Sequence, residues 1–185
     1  MGEINVDAAL VKNGGVSLTQ TQEKLVELSN GCICCTLRGD LLEAVSRLAA
    51  EEKYDAIVIE STGIGEPVPI AQTLIYVDEE TGIDLPSVVR LDTMVTVVDA
   101  KNFLANFGSG EYLKDRDWQT DETDDRTIVD LLVDQIEFCD VLVVNKISSI
   151  SEDEKTRLRA VLKSLQPTAE YIETDFGKVD FDRIV

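Results

Sequence analysis

The feature that most constrains this chain is the alternation of short apolar runs with amphipathic helical periods. Runs rich in Val and Ile at 55–60, 92–99 and 140–146 are typical of strands buried on both faces of a parallel sheet. Weaker patterns predict further strands at 26–28 and 169–173. The chain therefore contains enough strand-forming sequence for one central sheet.

Helical periods separate these runs at 40–52, 126–138 and 151–165. Ser151 and Glu154 have the spacing of a capping box at the start of the third period. Strands that alternate with helices predict an α/β fold, in which a mostly parallel sheet carries helices on both faces in three layers.

Polar residues follow the carboxyl ends of three predicted strands, where ligands bind in sheets of this kind. They are Glu60-Ser61-Thr62-Gly63, Asp99 and Asn145-Lys146. In nucleotide hydrolases an acid after a strand holds Mg²⁺, and a nearby Gly amide contacts the γ-phosphate. Asn-Lys after a buried strand begins the motif by which GTPases bind guanine. Each pattern is weak alone, and their order along the chain supports reading them together.

Charge and composition exclude several classes of function. The chain has 36 acidic and 17 basic residues among 185, a net charge of −19, which argues against nucleic acid or an anionic membrane as partner. No apolar run is long enough for a transmembrane helix, and the first residues do not resemble a signal peptide. Because there is no His, Ser-His-Asp triads and His-ligated zinc sites are excluded. We expect a cytoplasmic protein.

Three of the four cysteines are crowded together, at Cys32, Cys34 and Cys35. A disulfide inside so small a loop would be strained, so we expect reduced thiols. Thiolates are soft ligands that suit Zn²⁺ or Cu⁺, and three of them leave a weak position that suits metal transfer. The alternative is that one or two are small core residues. Cys139 stands alone in an apolar stretch and is predicted to belong to the core.

The segment 108–126 interrupts the alternation with a high density of acidic residues. We predict a solvated acidic loop inserted into the fold, with a docking surface as the alternative. Trp118 lies within it, as an exposed residue or a partner contact. We find no internal repeat and no second domain.

Several motifs together resemble one family over nearly the whole chain. They are Gly2-Glu3-Ile4-Asn5-Val6-Asp7, Cys32-Ile33-Cys34-Cys35, Glu60-Ser61-Thr62-Gly63, Glu66-Pro67 with Pro69-Ile70, and Asp134-Gln135-Ile136-Glu137-Phe138 leading into Asn145-Lys146. The chain resembles the CobW-type metallochaperone GTPases, which have a P-loop NTPase fold. Members deliver zinc to target enzymes, or act in cobalt and iron cofactor insertion, with GTP hydrolysis driving the cycle. A client metalloenzyme is the partner that the resemblance implies.

The resemblance also implies a metal site and its ligands. Cys32, Cys34 and Cys35 would bind the delivered metal, with Glu3 approaching from the first switch segment. Softness favours zinc over cobalt or iron.

A nucleotide site is implied by the same resemblance. Glu60 and Gly63 would serve Mg²⁺ and the γ-phosphate as catalytic residues, and Asn145 and Lys146 would hold the guanine of GTP.

The sequence departs from the family pattern in two places. A Gly-x-x-x-x-Gly-Lys-Thr phosphate loop and the strand before it are not found, because Gly177-Lys178 is followed by Val179. We therefore expect 1–185 to be a partial GTPase domain, without a carboxyl-terminal domain, that does not hydrolyse GTP alone. An unpaired sheet position could promote homo-oligomers. Secondly, Ser148 stands where the guanine motif has Asp, which puts guanine selectivity in question.

Two other hypotheses stay open. A metal-binding module that no longer uses nucleotide is favoured by these departures, but it does not explain Glu60-Ser61-Thr62-Gly63. A thiol redox protein is less well supported, because the Cys-x-x-Cys spacing of thioredoxin-like sites is missing.

Overall fold

The computed structural model describes residues 36–61, 63, 65–75, 77–78, 82–119 and 124–185. All of them fall within one unit, 31–185. The strand predicted at 26–28 lies outside the described residues, as do Glu3 and the three crowded cysteines.

The described residues contain five helices and five strands. The helices are α1 (Thr36–Ala50), α2 (Pro67–Ile75), α3 (Ala100–Phe107), α4 (Ile128–Glu137) and α5 (Glu152–Leu165). The strands are β1 (Val77–Asp78), β2 (Ile83–Asp84), β3 (Val95–Asp99), β4 (Val141–Asn145) and β5 (Glu170–Glu173). None of these helices is long and apolar enough to cross a membrane.

A three-stranded parallel sheet, ordered β3-β4-β5, forms the centre of the fold. Its register sets Asp99 beside Asn145, and Val144 beside Glu173. The carboxyl ends of the three strands therefore lie along one edge. The P-loop NTPase-like α/β class is confirmed, and so are the strands predicted within 92–99, 140–146 and 169–173.

Helices α3, α4 and α5 pack against one face of this sheet. The buried side chains there are Val98, Ala100, Phe103, Ile136, Cys139, Leu142, Val144, Leu158 and Leu162. On the opposite face Val141, Val143 and Ile172 pack against Val179 and Ile184 from the end of the chain. Both faces of β4 are buried, as its continuous apolar sequence predicts.

The predicted helices are confirmed with shifted ends. The period at 40–52 belongs to α1, and that at 126–138 belongs to α4. Helix α5 begins with the predicted capping box, because Ser151 Oγ accepts from the Glu154 amide while Glu154 accepts from the Ser151 amide. The sequence analysis did not predict α2, α3 or the antiparallel pair of β1 with β2.

The prediction of a strand at 55–60 is wrong, because the structure has no strand at these residues. Ile57 packs against buried residues of α1 and α2, whereas the Val58 side chain is 71% exposed. An apolar run predicts burial, but a strand also needs a neighbour for its backbone hydrogen bonds.

The described parts of the acidic segment, 108–119 and 124–126, contain local backbone structure. Residues Leu113–Arg116 form a short 3₁₀ helix, and Tyr112 forms a β-bridge with Thr127. Trp118 packs on the buried cluster of Leu113, Ile128 and Leu131 and is only partly exposed. Of the two interpretations of Trp118, a fully exposed residue does not match this packing, and a partner contact stays a prediction.

Candidate functional site

Asp99 ends β3 and is the N-cap of α3. Its Oδ1 accepts hydrogen bonds from the amides of Lys101 (2.9 Å) and Asn102 (3.3 Å). Its Oδ2 accepts from Lys146 Nζ at 2.7 Å. Burial alone would raise the pKa of Asp99, but the hydrogen bonds from Lys146 and Asn102 outweigh it, so that the pKa lies below its usual value. The carboxylate is therefore ionised at neutral pH and fixes the lysine.

Asn145, the last residue of β4, binds the loop that follows β5. Its Oδ1 accepts from the amide of Gly177 at 3.1 Å. Lys146 has a φ of +61°, Phe176 of +57° and Gly177 of +63°. Positive φ is unfavourable for side chains larger than Gly, and such conformations concentrate at functional sites. The Phe176 side chain is 89% exposed next to this edge of the sheet.

Ser148 and Asp175 join the loops after β4 and β5 a second time. The amide and hydroxyl of Ser148 donate to Asp175 Oδ1 at 3.1 and 2.9 Å. Nearby, the Ile147 amide donates to the Thr174 carbonyl at 3.2 Å. The two loops are thus held together at the carboxyl edge of the sheet.

Gln135 of α4 holds the chain that follows Glu60. Its Nε2 donates to the carbonyls of Gly63 (3.1 Å) and Gly65 (3.0 Å). The backbone carbonyl of Gln135 accepts a hydrogen bond from Thr96 Oγ1 of β3 at 2.5 Å. A cavity of about 170 Å³ lies here, lined by Gly63 and the polar residues Thr96, Asp99, Asn106 and Gln135 together with apolar side chains.

The structure brings together only part of the predicted site. Asn145 and Lys146 lie at one edge with Asp99, and Gly63 is held nearby by Gln135. Glu60 is exposed, and within the described part of the chain its carboxylate makes no hydrogen bond or ion pair.

The predicted metal ligands Cys32, Cys34, Cys35 and Glu3 lie outside the described residues. Among the residues that are described, no group of three metal-ligating side chains is found. Cys139 is 4% exposed within the core, and burial raises the pKa of its thiol. The prediction that Cys139 is a core residue is confirmed.

The sequence analysis missed Asp175 and Gly177. Both follow a strand that was itself predicted, and the rule applied to the other strand ends would have found them.

Comparison with known proteins identifies the family. Residues 1–173 match the family model described as CobW/HypB/UreG, nucleotide-binding domain. A search of solved structures finds no significant match.

Curated relatives match along most of this chain. The zinc-regulated GTPase metalloprotein activator 1 of Dictyostelium discoideum is 40% identical over 191 residues, which cover 100% of this chain and 40% of the relative. The protein of the same name from Schizosaccharomyces pombe is 35% identical over 159 residues, which cover 85% of this chain and 33% of the relative. A zinc chaperone CobW from Sinorhizobium is 31% identical over 153 residues, which cover 78% of this chain and 40% of the relative. The chain thus spans at most two fifths of the length of these three relatives, and it belongs to the CobW/HypB/UreG nucleotide-binding domain family.

Proposed function

We propose that residues 1–185 form part of the GTPase domain of a metallochaperone, with the segment 108–126 inserted into it. The full-length protein binds zinc, hydrolyses GTP and delivers the metal to a client protein. The family match supports the nucleotide function, and the printed names of the relatives support the link to zinc.

One observation carries the nucleotide part of this proposal. The Asn-Lys pair at the carboxyl end of β4 is held from both neighbouring strands, by the Lys146–Asp99 ion pair at the end of β3 and the Asn145–Gly177 hydrogen bond from the loop after β5. That edge is where α/β sheets bind ligands. In the proposed role the Asn145 amide contacts the purine edge, and the Lys146 stem lies along the base.

The phosphate end of the nucleotide is assigned to Glu60 and Gly63. A carboxylate is a suitable ligand for Mg²⁺, which prefers oxygen donors and keeps several waters. The backbone amide of Gly63 is the proposed donor to the γ-phosphate. Gln135 supports this segment from α4, because it binds the carbonyls of Gly63 and Gly65.

Zinc is the cargo and not a structural part of the domain. Its proposed ligands are the thiolates of Cys32, Cys34 and Cys35, with Glu3 as a carboxylate that approaches from the switch. Thiolate and carboxylate donors both bind Zn²⁺. A site with few permanent ligands leaves room for exchange with a client.

A zinc titration under reducing conditions, against a chromophoric chelator, tests the metal site. The chain is expected to bind one zinc tightly, and Cys34→Ala is expected to abolish this binding. The matched control is Cys139→Ala, which removes a buried thiol of the core and is expected to leave zinc binding unchanged. Stoichiometric zinc binding by Cys34→Ala would count against the proposed ligands.

The titration repeated with GTP and Mg²⁺ separates the proposal from a nucleotide-independent metal module. The proposal expects GTP to bind and to change the zinc affinity. Zinc affinity that stays constant, together with no GTP binding by the full-length protein, would favour the module. Tighter binding of cobalt or iron than of zinc would instead favour cofactor insertion.

A further inference from the structure

We propose that Asp175 supplies the carboxylate that selects guanine, in place of the acid that Ser148 replaces. This inference rests on the nucleotide function proposed above. It concerns one specificity-determining residue of that site, in the loop after β5.

The chemistry of the base explains why a carboxylate matters. Guanine presents two adjacent donors, N1–H and the N2 amino group, and an ionised carboxylate accepts from both. Adenine has an unprotonated N1 and no amino group at that position. A Ser hydroxyl makes only one such contact and carries no charge, so Ser148 alone does not account for selectivity.

The structure places a carboxylate next to Ser148 from another part of the chain. The amide and hydroxyl of Ser148 both donate to Oδ1 of Asp175, at 3.1 and 2.9 Å. Neither bond uses Oδ2, and no hydrogen bond within the described ranges reaches that atom. Ser148 therefore anchors one oxygen of Asp175 and leaves the other available to a ligand.

The backbone around Asp175 is held in register with the proposed base site. On one side, the Thr174 carbonyl accepts from the Ile147 amide at 3.2 Å. On the other, the Gly177 amide donates to Asn145 Oδ1 at 3.1 Å. Asp175 is partly buried between these contacts, so that its carboxylate is fixed on the same edge as Asn145.

Exchanging the functional group of Asp175 tests this assignment. Xanthine keeps N1–H but has a carbonyl at C2, so that its edge matches an amide rather than a carboxylate. Asp175→Asn is therefore expected to lower the affinity for GTP relative to XTP by about 10- to 100-fold. The measurement is competition of GTP, XTP and ATP against a fluorescent guanine nucleotide and a fluorescent xanthine nucleotide, with the full-length protein.

The matched control is Asp182→Asn, which makes the same chemical change at an exposed acid further along the chain. It is expected to leave the GTP preference unchanged. General unfolding lowers the affinity for GTP and for XTP together, so it cannot produce the expected change in their ratio.

A second pair of variants tests the partnership with Ser148. Asp175→Ser alone is expected to lose the GTP preference over ATP. Adding Ser148→Asp to it exchanges the two groups across the same contact and is expected to restore that preference.

The outcomes distinguish the inference from the proposed function. If the unmodified chain prefers GTP and Asp175→Asn keeps that preference, the assignment of Asp175 is wrong while the nucleotide function stands. If the unmodified full-length protein binds no purine nucleotide, the proposed nucleotide function fails and this inference fails with it.

Discussion

Lys146 Nζ lies 2.7 Å from Oδ2 of Asp99, which ties the residue after β4 to the last residue of β3. The other oxygen of the same carboxylate caps α3. One acid therefore positions the proposed base-binding lysine and the start of a helix.

Two substitutions of Asp99 separate these roles. Asp99→Ala removes the cap and the ion pair, and we expect it to lower the free energy of unfolding by about 1–2 kcal/mol. Asp99→Asn loses the charge but keeps a good capping group, so the expected loss of stability is smaller while Lys146 is released. Urea denaturation measures the free energy of unfolding. GTP binding by the full-length protein shows whether releasing Lys146 from its ion pair with residue 99 changes the nucleotide affinity. Equal destabilisation by both variants would show that the cap contributes little.

Gln135→Ala is expected to loosen the chain around Gly63. It removes both side-chain hydrogen bonds to the Gly63 and Gly65 carbonyls, at a cost of about 1–2 kcal/mol in stability. We also expect a lower rate of GTP hydrolysis by the full-length protein, because the Gly63 amide is the proposed hydrogen-bond donor to the γ-phosphate. Amide hydrogen exchange of 60–66 reports the loosening directly.

The matched control for this variant is Gln166→Ala. Gln166 Nε2 likewise donates to two backbone carbonyls, those of Glu137 and Cys139, but it lies at the end of α5. It is expected to cost similar stability and to leave GTP hydrolysis unchanged. Equal loss of hydrolysis in both variants would mean that the effect is one of stability alone.

Glu173 gives a pH dependence with a defined sign. Arg159 binds it at both oxygens (2.5 and 2.7 Å), and this hydrogen bonding, opposed by burial, lowers the pKa of Glu173 below 4.5. When the pKa of a carboxyl group is lower in the folded state than in the unfolded state, its ionisation stabilises the fold at any pH above the unfolded-state pKa. This stabilisation is lost as the pH falls through the folded-state pKa.

The unmodified chain is therefore expected to be more stable than Glu173→Gln at pH 7. This difference is expected to shrink as the pH falls below about 4.5. Denaturation curves of both proteins between pH 7 and pH 3 measure it. A difference that is constant over this range would contradict the assigned pKa direction.

The sequence predicted elements whose signal is local. The capping box at Ser151 and the apolar run of β4 each fold as their own residues dictate. The apolar run at 55–60 does not form the predicted strand, because a strand needs a neighbouring strand for its backbone hydrogen bonds and the residues of the run do not determine whether one is present. The contact between Ser148 and Asp175 spans 27 positions, and only the register of β4 and β5 brings the two residues together. Long-range contacts of this kind form the part of the site that local patterns could not predict.

Tyr171 tests the cost of an unsatisfied polar group. Its hydroxyl is buried and has no hydrogen-bond partner among the residues that the structure describes. Tyr171→Phe removes this hydroxyl and keeps the ring against the core, so we expect the free energy of unfolding to rise by up to about 1 kcal/mol. Thermal or urea unfolding at pH 7 measures the change, and a clear loss of stability would indicate that the hydroxyl has a partner.

The same residue gives a prediction at alkaline pH. Burial, together with the charge of Glu173, raises the pKa of Tyr171 from 10.0 to about 12. Because the unfolded chain ionises this phenol first, the unmodified protein is expected to lose stability as the pH rises from about 10 to about 12. Tyr171→Phe lacks this loss, so that its advantage over the unmodified chain grows across the interval. An advantage that stays constant would mean that the phenol ionises equally well in the folded state, and that its burial carries no electrostatic cost.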